Sequence, residues 1–347
     1  MRIMDDAKIK FMSEAEMIRG KGLSFGHFVM SLSQEHDHET AHDLTRQYCL
    51  QSPSDEICKT CMEFLYMNGY FDDLRRIIDS NKTSQQQTNQ LWAEIYQIMI
   101  DRRMKRHPSH LLLQRLNSIM TDDANLTCLI ELTRVSIYYD QNKFGKIANL
   151  LDEQHNLFSQ VNDRFLLSSF DLRLYQLLFV YYWVRNELIM ARKYAFRALN
   201  ETNSVLTKAS LHTNLGLTYT FDTYAQGMYH FKEALKLANT YQLEQVKRSI
   251  QQKNIPFFSA HFGHVEGIET DDRSEQAHLE IAKGNRSKAI TILEQMPLDS
   301  PFKLYYLGLA KQDKAILLQS YSDFINKRSD YFFSRLPLNV LKTMDHR

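Results

Sequence analysis

The residues whose types and spacing could most readily do chemistry are His38, Glu39 and His42, in the segment HETAH. On a helix, this HExxH pattern places two imidazoles on one face for zinc, with the glutamate as general base of a metalloprotease. The surrounding sequence QEHDHETAHD is polar, whereas the motif helices of such enzymes are apolar, and no HxxGxxH third ligand follows. We therefore interpret the segment as a polar helix start capped by Asp37, and we predict no metal site.

A second motif of this kind is the CxxC formed by Cys58 and Cys61. A redox CxxC needs a lowered thiol pKa, and a structural zinc site needs four ligands. This CxxC lies inside a helical pattern, follows no strand and has no second cysteine pair, so we predict two buried, inert thiols. The remaining cysteines, Cys49 and Cys128, also lie in helical patterns without the spacing of a disulfide framework.

A basic run covers residues 102–107, and His110 lies just beyond it. Such a run could contact nucleic-acid phosphates. Cations are also favourable at the carboxyl end of a helix, where they complement the helix dipole. We favour a solvated helix end and keep nucleic-acid contact as the alternative.

The sequence contains no P-loop, dinucleotide glycine fingerprint, nucleophile elbow or kinase signature. We therefore predict that the protein is not an enzyme and uses no cofactor. A net charge of +1 gives no global signal for nucleic-acid binding. The longest apolar stretch, residues 174–184, is too short for a membrane span, and the charged start lacks a signal-peptide core, so we expect a soluble cytoplasmic protein.

The elements that must position these side chains are amphipathic helices arranged in pairs, and the clearest pair covers residues 211–238. The leucine, small and aromatic positions of a tetratricopeptide repeat are filled there by Leu215, Gly216, Tyr219, Gly227, Phe231 and Ala234. From Ala198 to Ala234 is 36 residues, close to the ~34 of this repeat. Small residues let the paired helices approach closely, and aromatic residues fill the space between pairs.

The predicted fold is all-α, a superhelical solenoid of tetratricopeptide-like helical hairpins. One hairpin cannot bury its apolar face alone, so copies stack and create a concave groove that usually binds peptides or protein segments. We predict an N-terminal stub at 1–22, a first set of repeats at 23–262, a linker at 263–273 and a second set at 274–347. The linker prediction rests on two glycines and four acids within 263–272.

Asn214 is an amide on a helix face that is otherwise apolar, one turn before Leu217. Amides in helical grooves often hold an extended peptide main chain, because an amide both donates and accepts hydrogen bonds. A satisfied hydrogen bond between helices is the alternative interpretation.

Three segments of the chain, 274–298, 305–344 and 46–50, resemble the arbitrium peptide receptor family, with Asp330 and the following RLPL at 335–338 as the most distinctive piece. The resemblance implies a cytosolic quorum-sensing receptor of tetratricopeptide-like repeats. Such receptors bind a short phage-encoded peptide and, without it, bind DNA through an amino-terminal helix-turn-helix to control the choice between lysis and lysogeny.

The same resemblance implies a peptide-binding set. Glu275 and Asp330 match acids that hold an arginine of the peptide, and we expect both carboxylates to be solvated when the groove is empty. Asp299 matches a position near the peptide's amino end, and Tyr305 lines the same stretch. Asparagines and an arginine that grip the peptide in relatives are replaced here by Val180, Val184, Leu206 and Leu217. Asn214 and Lys208, each within a turn of these positions, are the expected substitutes.

The predicted partners are therefore a short arginine-containing peptide and a second copy of the chain in a homodimer, without a membrane. The DNA-binding residues are unknown, because only 22 residues precede Leu23, where the resemblance starts. We expect DNA binding only where a helix-turn-helix is supplied upstream. The alternative function is a tetratricopeptide-like adaptor or decoy receptor that binds a protein partner and never DNA.

Overall fold

The computed structural model describes residues 24–51 and 55–345, and all the regular structure in these two ranges is helical. The predicted stub at 1–22 lies outside the described residues. The all-α prediction is confirmed, since no strand occurs within the described ranges. None of the helices described there combines the length and the apolarity that crossing a bilayer requires.

The chain divides into two compact units. The first consists of 1–137 and 152–171, and the second of 138–151 and 172–347. The segment 263–273, predicted as a linker between two sets of repeats, lies within the second unit.

The first unit is built from consecutive amphipathic helices and shares its last three with the second unit. Their bounds are α1 Phe25–Glu35, α2 His38–Leu50, α3 Asp55–Asn68, α4 Phe71–Asn81, α5 Gln87–Arg103, α6 Ser109–Asn117, α7 Ala124–Asp140, α8 Ile147–Ser159 and α9 Arg164–Val184. Its core contains the fully buried Trp92 and Tyr96, and the Tyr96 hydroxyl donates to the buried Glu63 carboxylate at 2.5 Å.

The two amino-terminal motifs are parts of these helices. The carboxylate of Asp37 accepts hydrogen bonds from the backbone N–H groups of Glu39 and Thr40, both at 3.1 Å, so it caps α2 as predicted. Cys58 and Cys61 are buried free thiols on α3, and burial raises the pKa of Cys61. In the described part of the chain, no three His, Cys, Asp or Glu side chains converge as metal ligands.

The basic run at 102–107 falls at the carboxyl end of α5, which ends at Arg103. Arg102 donates to the backbone carbonyl of Ser136 at 2.9 Å, and the Arg103 guanidinium lies over the Phe71 ring. Arg106 lies 3.9 Å from the buried carboxylate of Asp101. Much of the run's charge is therefore engaged within the protein.

The second unit continues the series of helical hairpins after α9. Their bounds are α10 Leu188–Glu201, α11 Val205–Thr218, α12 Tyr224–Thr240, α13 Glu244–Ser249, a π-helical turn at Ile250–Asn254, α14 Ile255–Phe262, α15 Arg273–Ala282, α16 Arg286–Glu294, α17 Pro301–Lys311, α18 Lys314–Arg328 and α19 Arg335–Asp345.

The hairpin of α11 and α12 shows why small residues recur at fixed positions. A Cβ atom at Gly216 would lie 2.7 Å from the Phe231 ring, and one at Gly227 would lie 2.1 Å from the Phe258 ring. Both rings are fully buried, so they have no room to move away. The predicted close approach of these helices is confirmed.

A loop at 329–334 joins α18 to α19 and packs against the end of α9. The backbone N–H groups of Tyr331 and Phe332 both donate to the carbonyl of Val184, at 2.7 and 3.0 Å. Arg335 adds a hydrogen bond to the side chain of Asn186 at 3.0 Å. These contacts hold the end of the second unit against the last turn of α9.

The fold predicts that Gly227→Ala destabilises the protein. The added methyl group overlaps the Phe258 ring, and overpacking of this kind costs about 1–3 kcal/mol, more than the roughly 0.5–1 kcal/mol that alanine gains over glycine in a helix. We expect a lower midpoint of thermal unfolding by circular dichroism. Gly26→Ala is the matched control, because its Cβ would lie 3.5 Å from Phe165, an ordinary contact. An equal effect of the two substitutions would contradict the packing argument.

Candidate functional site

The second unit contains a cavity of about 300 Å³, lined by side chains from most of its helices. One wall comes from the last turn of α9, where Val180, Trp183 and Val184 lie on one face at helical spacing. Asn214 and Leu217 of α11 continue this wall. The volume is at the lower end of small-ligand pockets, so the cavity suits a few ligand side chains rather than a folded partner.

The rest of the cavity lining is more polar. It comes from α15, α17, the end of α18, the following loop, the end of α7 and the segment that joins α7 to α8, and consists of Glu275, Phe302, Tyr306, Arg328, Asp330, Phe333, Tyr139, Asn142 and Phe144. Two acids, one arginine and several aromatic rings therefore face one partly open cavity.

A π-helical turn and the start of α14 contribute the remaining part of the lining, with Lys253 and Asn254 from the turn and Phe257 from α14. The turn arises just before Pro256, which has no N–H for the helical hydrogen-bond ladder. The carbonyl of Gln252, four residues earlier, accepts instead from the Thr270 hydroxyl at 2.6 Å. Single π-turns of this kind often occur at functional sites.

Glu275 is half-buried, and its carboxylate is oriented by Tyr306. The Tyr306 hydroxyl donates towards both carboxylate oxygens, at 3.1 and 3.2 Å. Burial and the nearby Glu275 charge raise the pKa of Tyr306 well above its ordinary value, so this hydroxyl stays protonated and keeps donating. The His278 ring stacks on Tyr306 at 4.3 Å and holds it in place.

Asp330 is only 4% exposed, and its carboxylate accepts a hydrogen bond from the backbone N–H of Phe333 at 3.0 Å. Burial raises its pKa from 3.8 to about 6, against the opposing effects of that hydrogen bond and of the Arg328 charge. The expectation of a solvated carboxylate is therefore wrong for Asp330. The loop that carries it closes on α9 and removes the side chain from water.

Arg328 brings a positive charge to the same cavity. Its guanidinium donates to the Asn142 side-chain oxygen at 2.5 Å and lies 5.8 Å from the centre of the Phe302 ring. Burial lowers the pKa of Arg328, and the charge of Asp330 opposes this effect. Asp330 thus already has a cation of its own chain nearby.

Of the six residues predicted to bind peptide, the structure brings Glu275, Asp330 and Asn214 to the cavity and leaves three outside its lining. Asp299 is exposed and forms an ion pair with Lys303 at 2.8 Å, a hydrogen bond that lowers the pKa of Asp299. Tyr305 is buried, which raises the pKa of its hydroxyl, while its neighbour Tyr306 lines the cavity.

Lys208 also lies outside the lining. Of the four apolar replacements, Val180, Val184 and Leu217 face the cavity, and Leu206 does not. The roles of all these residues in ligand binding stay predictions.

Trp183, Asn254, Tyr306 and Arg328 line the cavity but are not among the site residues predicted from the sequence. Trp183 belongs to an aromatic run on α9 with Phe179, Tyr181 and Tyr182, and the sequence predicts that such a run packs between repeats. Pro256 inside a helical pattern was a usable signal for the π-turn, because a proline there must disturb the hydrogen-bond ladder.

Comparison with known proteins finds relatives along nearly the whole chain. Residues 41–343 match the model of a family described as AimR transcriptional regulator-like. The AimR transcriptional regulator of Bacillus phage SPbeta is 21% identical over 343 residues, which cover 95% of this chain and 88% of that protein. An uncharacterized Bacillus anthracis protein is 22% identical over 214 residues, covering 58% of this chain and 79% of its own length.

Two solved structures share the fold. A structure of phAimR with a ligand superposes with a TM-score of 0.75 at 20% identity, covering 89% of this chain and 93% of that chain. A selenomethionine phAimR structure gives a TM-score of 0.65 at 20% identity, covering 90% and 83%. At this identity the likeness establishes the helical-repeat fold.

The buried carboxyl predicts a pH-dependent gain in stability for Asp330→Asn. The native state binds the Asp330 proton more tightly than the unfolded chain, because burial raises its pKa to about 6. Protonated Asp330 therefore stabilises the native state fully at pH values below the pKa that this residue has in the unfolded chain. This stabilisation is lost as the pH rises through about 6, the pKa in the native state. Asparagine keeps the acceptor for Phe333 but does not ionise. We expect the variant to be more stable than the parent at neutral pH by up to about 3 kcal/mol.

Urea unfolding of parent and variant between about pH 4 and about pH 7 measures this difference, which should shrink towards acid pH. His261 titrates in the opposite sense, since burial lowers its pKa to about 4 and its stability contribution is lost as the pH falls. Both proteins contain His261, so the difference between them isolates Asp330. A difference that does not change with pH would show that Asp330 is solvated.

Proposed function

This chain belongs to the AimR transcriptional regulator-like family, and we propose that it is a receptor for a short phage-encoded communication peptide that regulates lysis–lysogeny transcription inside the cell. The observation that carries the proposal is the cavity of the second unit, where two carboxylates and several aromatic rings face one partly open space. A peptide side chain with a delocalised cation suits such a space, because a guanidinium both pairs with carboxylates and stacks on rings.

Glu275 is the better partner for an arginine of the peptide. Its carboxylate is half-buried and is held in one orientation by the Tyr306 hydroxyl, so little rotamer entropy is lost when a guanidinium pairs with it. Asp330 is more deeply buried and already has Arg328 nearby. A second guanidinium would strengthen the ionised form of Asp330 but would also meet the like charge of Arg328.

The peptide would act by favouring one arrangement of the second unit. The cavity is lined by segments that are far apart in sequence, from the region around Asn142 to Phe333. A ligand that touches several of them stabilises the arrangement in which they lie at the right distance. The equilibrium between this arrangement and an alternative one shifts only by the difference between the ligand's affinities for the two. We propose that this shift changes the affinity of a homodimer for its operator.

We predict that Glu275→Gln weakens binding of an arginine-containing hexapeptide by about 1–3 kcal/mol, the range for a hydrogen bond to a charged group. The probe is a synthetic arginine-containing hexapeptide selected for binding to the parent protein, and its affinity is measured by calorimetric titration. A second peptide with citrulline in place of arginine has nearly the same shape without the charge.

The two peptides and two proteins form a double-mutant cycle. The citrulline peptide should bind parent and Glu275→Gln with similar, weak affinity, because the charged pair is absent in both cases. Glu269→Gln is the control, since this exposed acid lies outside the cavity lining. Unchanged affinity of Glu275→Gln for the arginine peptide would remove Glu275 from the site.

A separate prediction tests regulation of transcription. Purified protein that carries a helix-turn-helix supplied upstream of residue 1, fixed to beads and mixed with sheared phage DNA, should retain specific fragments, and the peptide should release them. Because DNA binding releases counterions, nonspecific retention of DNA falls steeply as the salt concentration rises. A wash at higher salt therefore removes nonspecifically bound fragments and leaves the specific ones on the beads. A protein partner retained from phage-infected cells, with no specific DNA fragment, would favour the adaptor or decoy function instead.

A further inference from the structure

We propose that the corner between α5 and α6 in the first unit binds the phosphate backbone of duplex DNA without reading its sequence. This surface, the basic corner, consists of residues 102–115. The inference goes beyond the proposed function, because it involves neither the cavity of the second unit nor a peptide. Its basis is the distribution of charge along the chain and the arrangement of cations around one buried carboxylate.

Positive charge is concentrated in this part of the sequence. Five Lys and Arg residues and no Asp or Glu occur between Asp101 and Asp122. The whole chain has a net charge of +1, of which this segment contributes +5, so the rest of the chain has a net charge of −4. Nonspecific DNA binding needs only a local basic surface, because each cation that meets a phosphate releases a condensed counterion. The near-neutral net charge is therefore compatible with such a surface.

One buried carboxylate draws several of these side chains together. Asp101 is 4% exposed and accepts a hydrogen bond from Arg115 at 2.9 Å. Arg106 and His107 lie 3.9 and 3.8 Å from the same carboxylate. Arg115 also pairs with Glu94 at 2.9 Å, so one arginine occupies both acids. These two acids are too few to neutralise the five cations of the segment, and the basic corner keeps a surplus of positive charge.

Arg103, Lys105 and Arg106 present this surplus to solvent, since all three side chains are exposed. Arg103 and Lys105 form no ion pair with a described residue, and the Arg103 guanidinium lies 5.4 Å from the centre of the Phe71 ring. The backbone of Lys105 is left-handed, with φ 52°, where the chain turns from α5 towards α6. That region favours glycine or asparagine, so the turn itself does not favour lysine. Its ammonium is available to an external anion.

A linear polyanion suits the basic corner better than a small anion. The exposed cations follow the turn from Arg103 to Arg106, so they offer several separate contacts along a stretch of chain. Duplex DNA carries a negative charge every ~1.7 Å of its axis. It is also the polyanion expected for a chain of the AimR transcriptional regulator-like family. An acidic protein segment is the alternative partner, and it would also cover Met104 and Leu111, which are each 40% exposed.

The salt dependence of DNA binding tests the inference. The full chain is titrated against a short labelled DNA duplex of arbitrary sequence, and fluorescence anisotropy gives the binding constant at several salt concentrations. The variant combines Arg103→Gln, Lys105→Gln and Arg106→Gln. We expect the slope of log K against log salt to become shallower by about 2–3, close to 0.9 for each lost phosphate contact, and the affinity at low salt to fall roughly tenfold or more.

The matched control combines Lys232→Gln, Lys236→Gln and Arg248→Gln, which removes the same charge from exposed cations of the second unit. The control should bind DNA like the parent. Any other DNA-binding segment is common to all the proteins, so the comparison isolates the basic corner. The single variant Lys105→Gln, which removes no ion pair of the described structure, should change the slope by about 1 and keeps the test valid if the triple variant is unstable.

Three outcomes would overturn the inference. A parent protein that binds no DNA at low salt has no such surface. An equal loss of affinity in the triple variant and its control would show that only the net charge matters. A labelled poly-glutamate peptide that binds more tightly than DNA, and whose binding is weakened by Met104→Ser with Leu111→Ser, would identify an acidic protein segment as the partner. Peptide binding in the cavity of the second unit is measured separately, so each of these outcomes leaves the proposed receptor function intact.

Discussion

The backbone carbonyl of Val184 is the contact on which the geometry of the cavity depends. The last carbonyls of a helix have no partner within the helix, and at the end of α9 this one accepts two N–H groups from the loop 329–334. The loop carries Asp330 and Phe333, and α9 carries Val180 and Trp183, so one acceptor brings both walls together. The same contact explains why Asp330 is buried and why its pKa is raised.

A local defect in the helix pattern supplies the third wall. Pro256 removes one hydrogen bond from the ladder, and the chain responds with a π-turn whose freed carbonyl is satisfied by Thr270. The turn leaves the Asn254 oxygen without a partner inside the second unit. Such a group lowers the stability of the free protein.

Glu275 is the acid of the cavity whose carboxylate is held in one orientation, by the Tyr306 hydroxyl. In the proposed receptor this orientation suits a cation, because little rotamer entropy is lost when the charged pair forms. The wall from α9 and α11 combines the apolar side chains of Val180, Val184 and Leu217 with the amide of Asn214.

The amino-acid sequence was enough to predict the all-α fold, the hairpin of Gly216 and Phe231 and the cap at Asp37, because helical periodicity, capping and close helix approach are read within one or two turns. The family resemblance of 274–298 and 305–344 predicted the family and pointed to Glu275 and Asp330, both of which line the cavity. The burial of Asp330 and the position of Trp183 at a cavity could be seen only in the tertiary structure. These properties depend on a loop that meets α9 from the far end of the unit, and no local pattern encodes that contact.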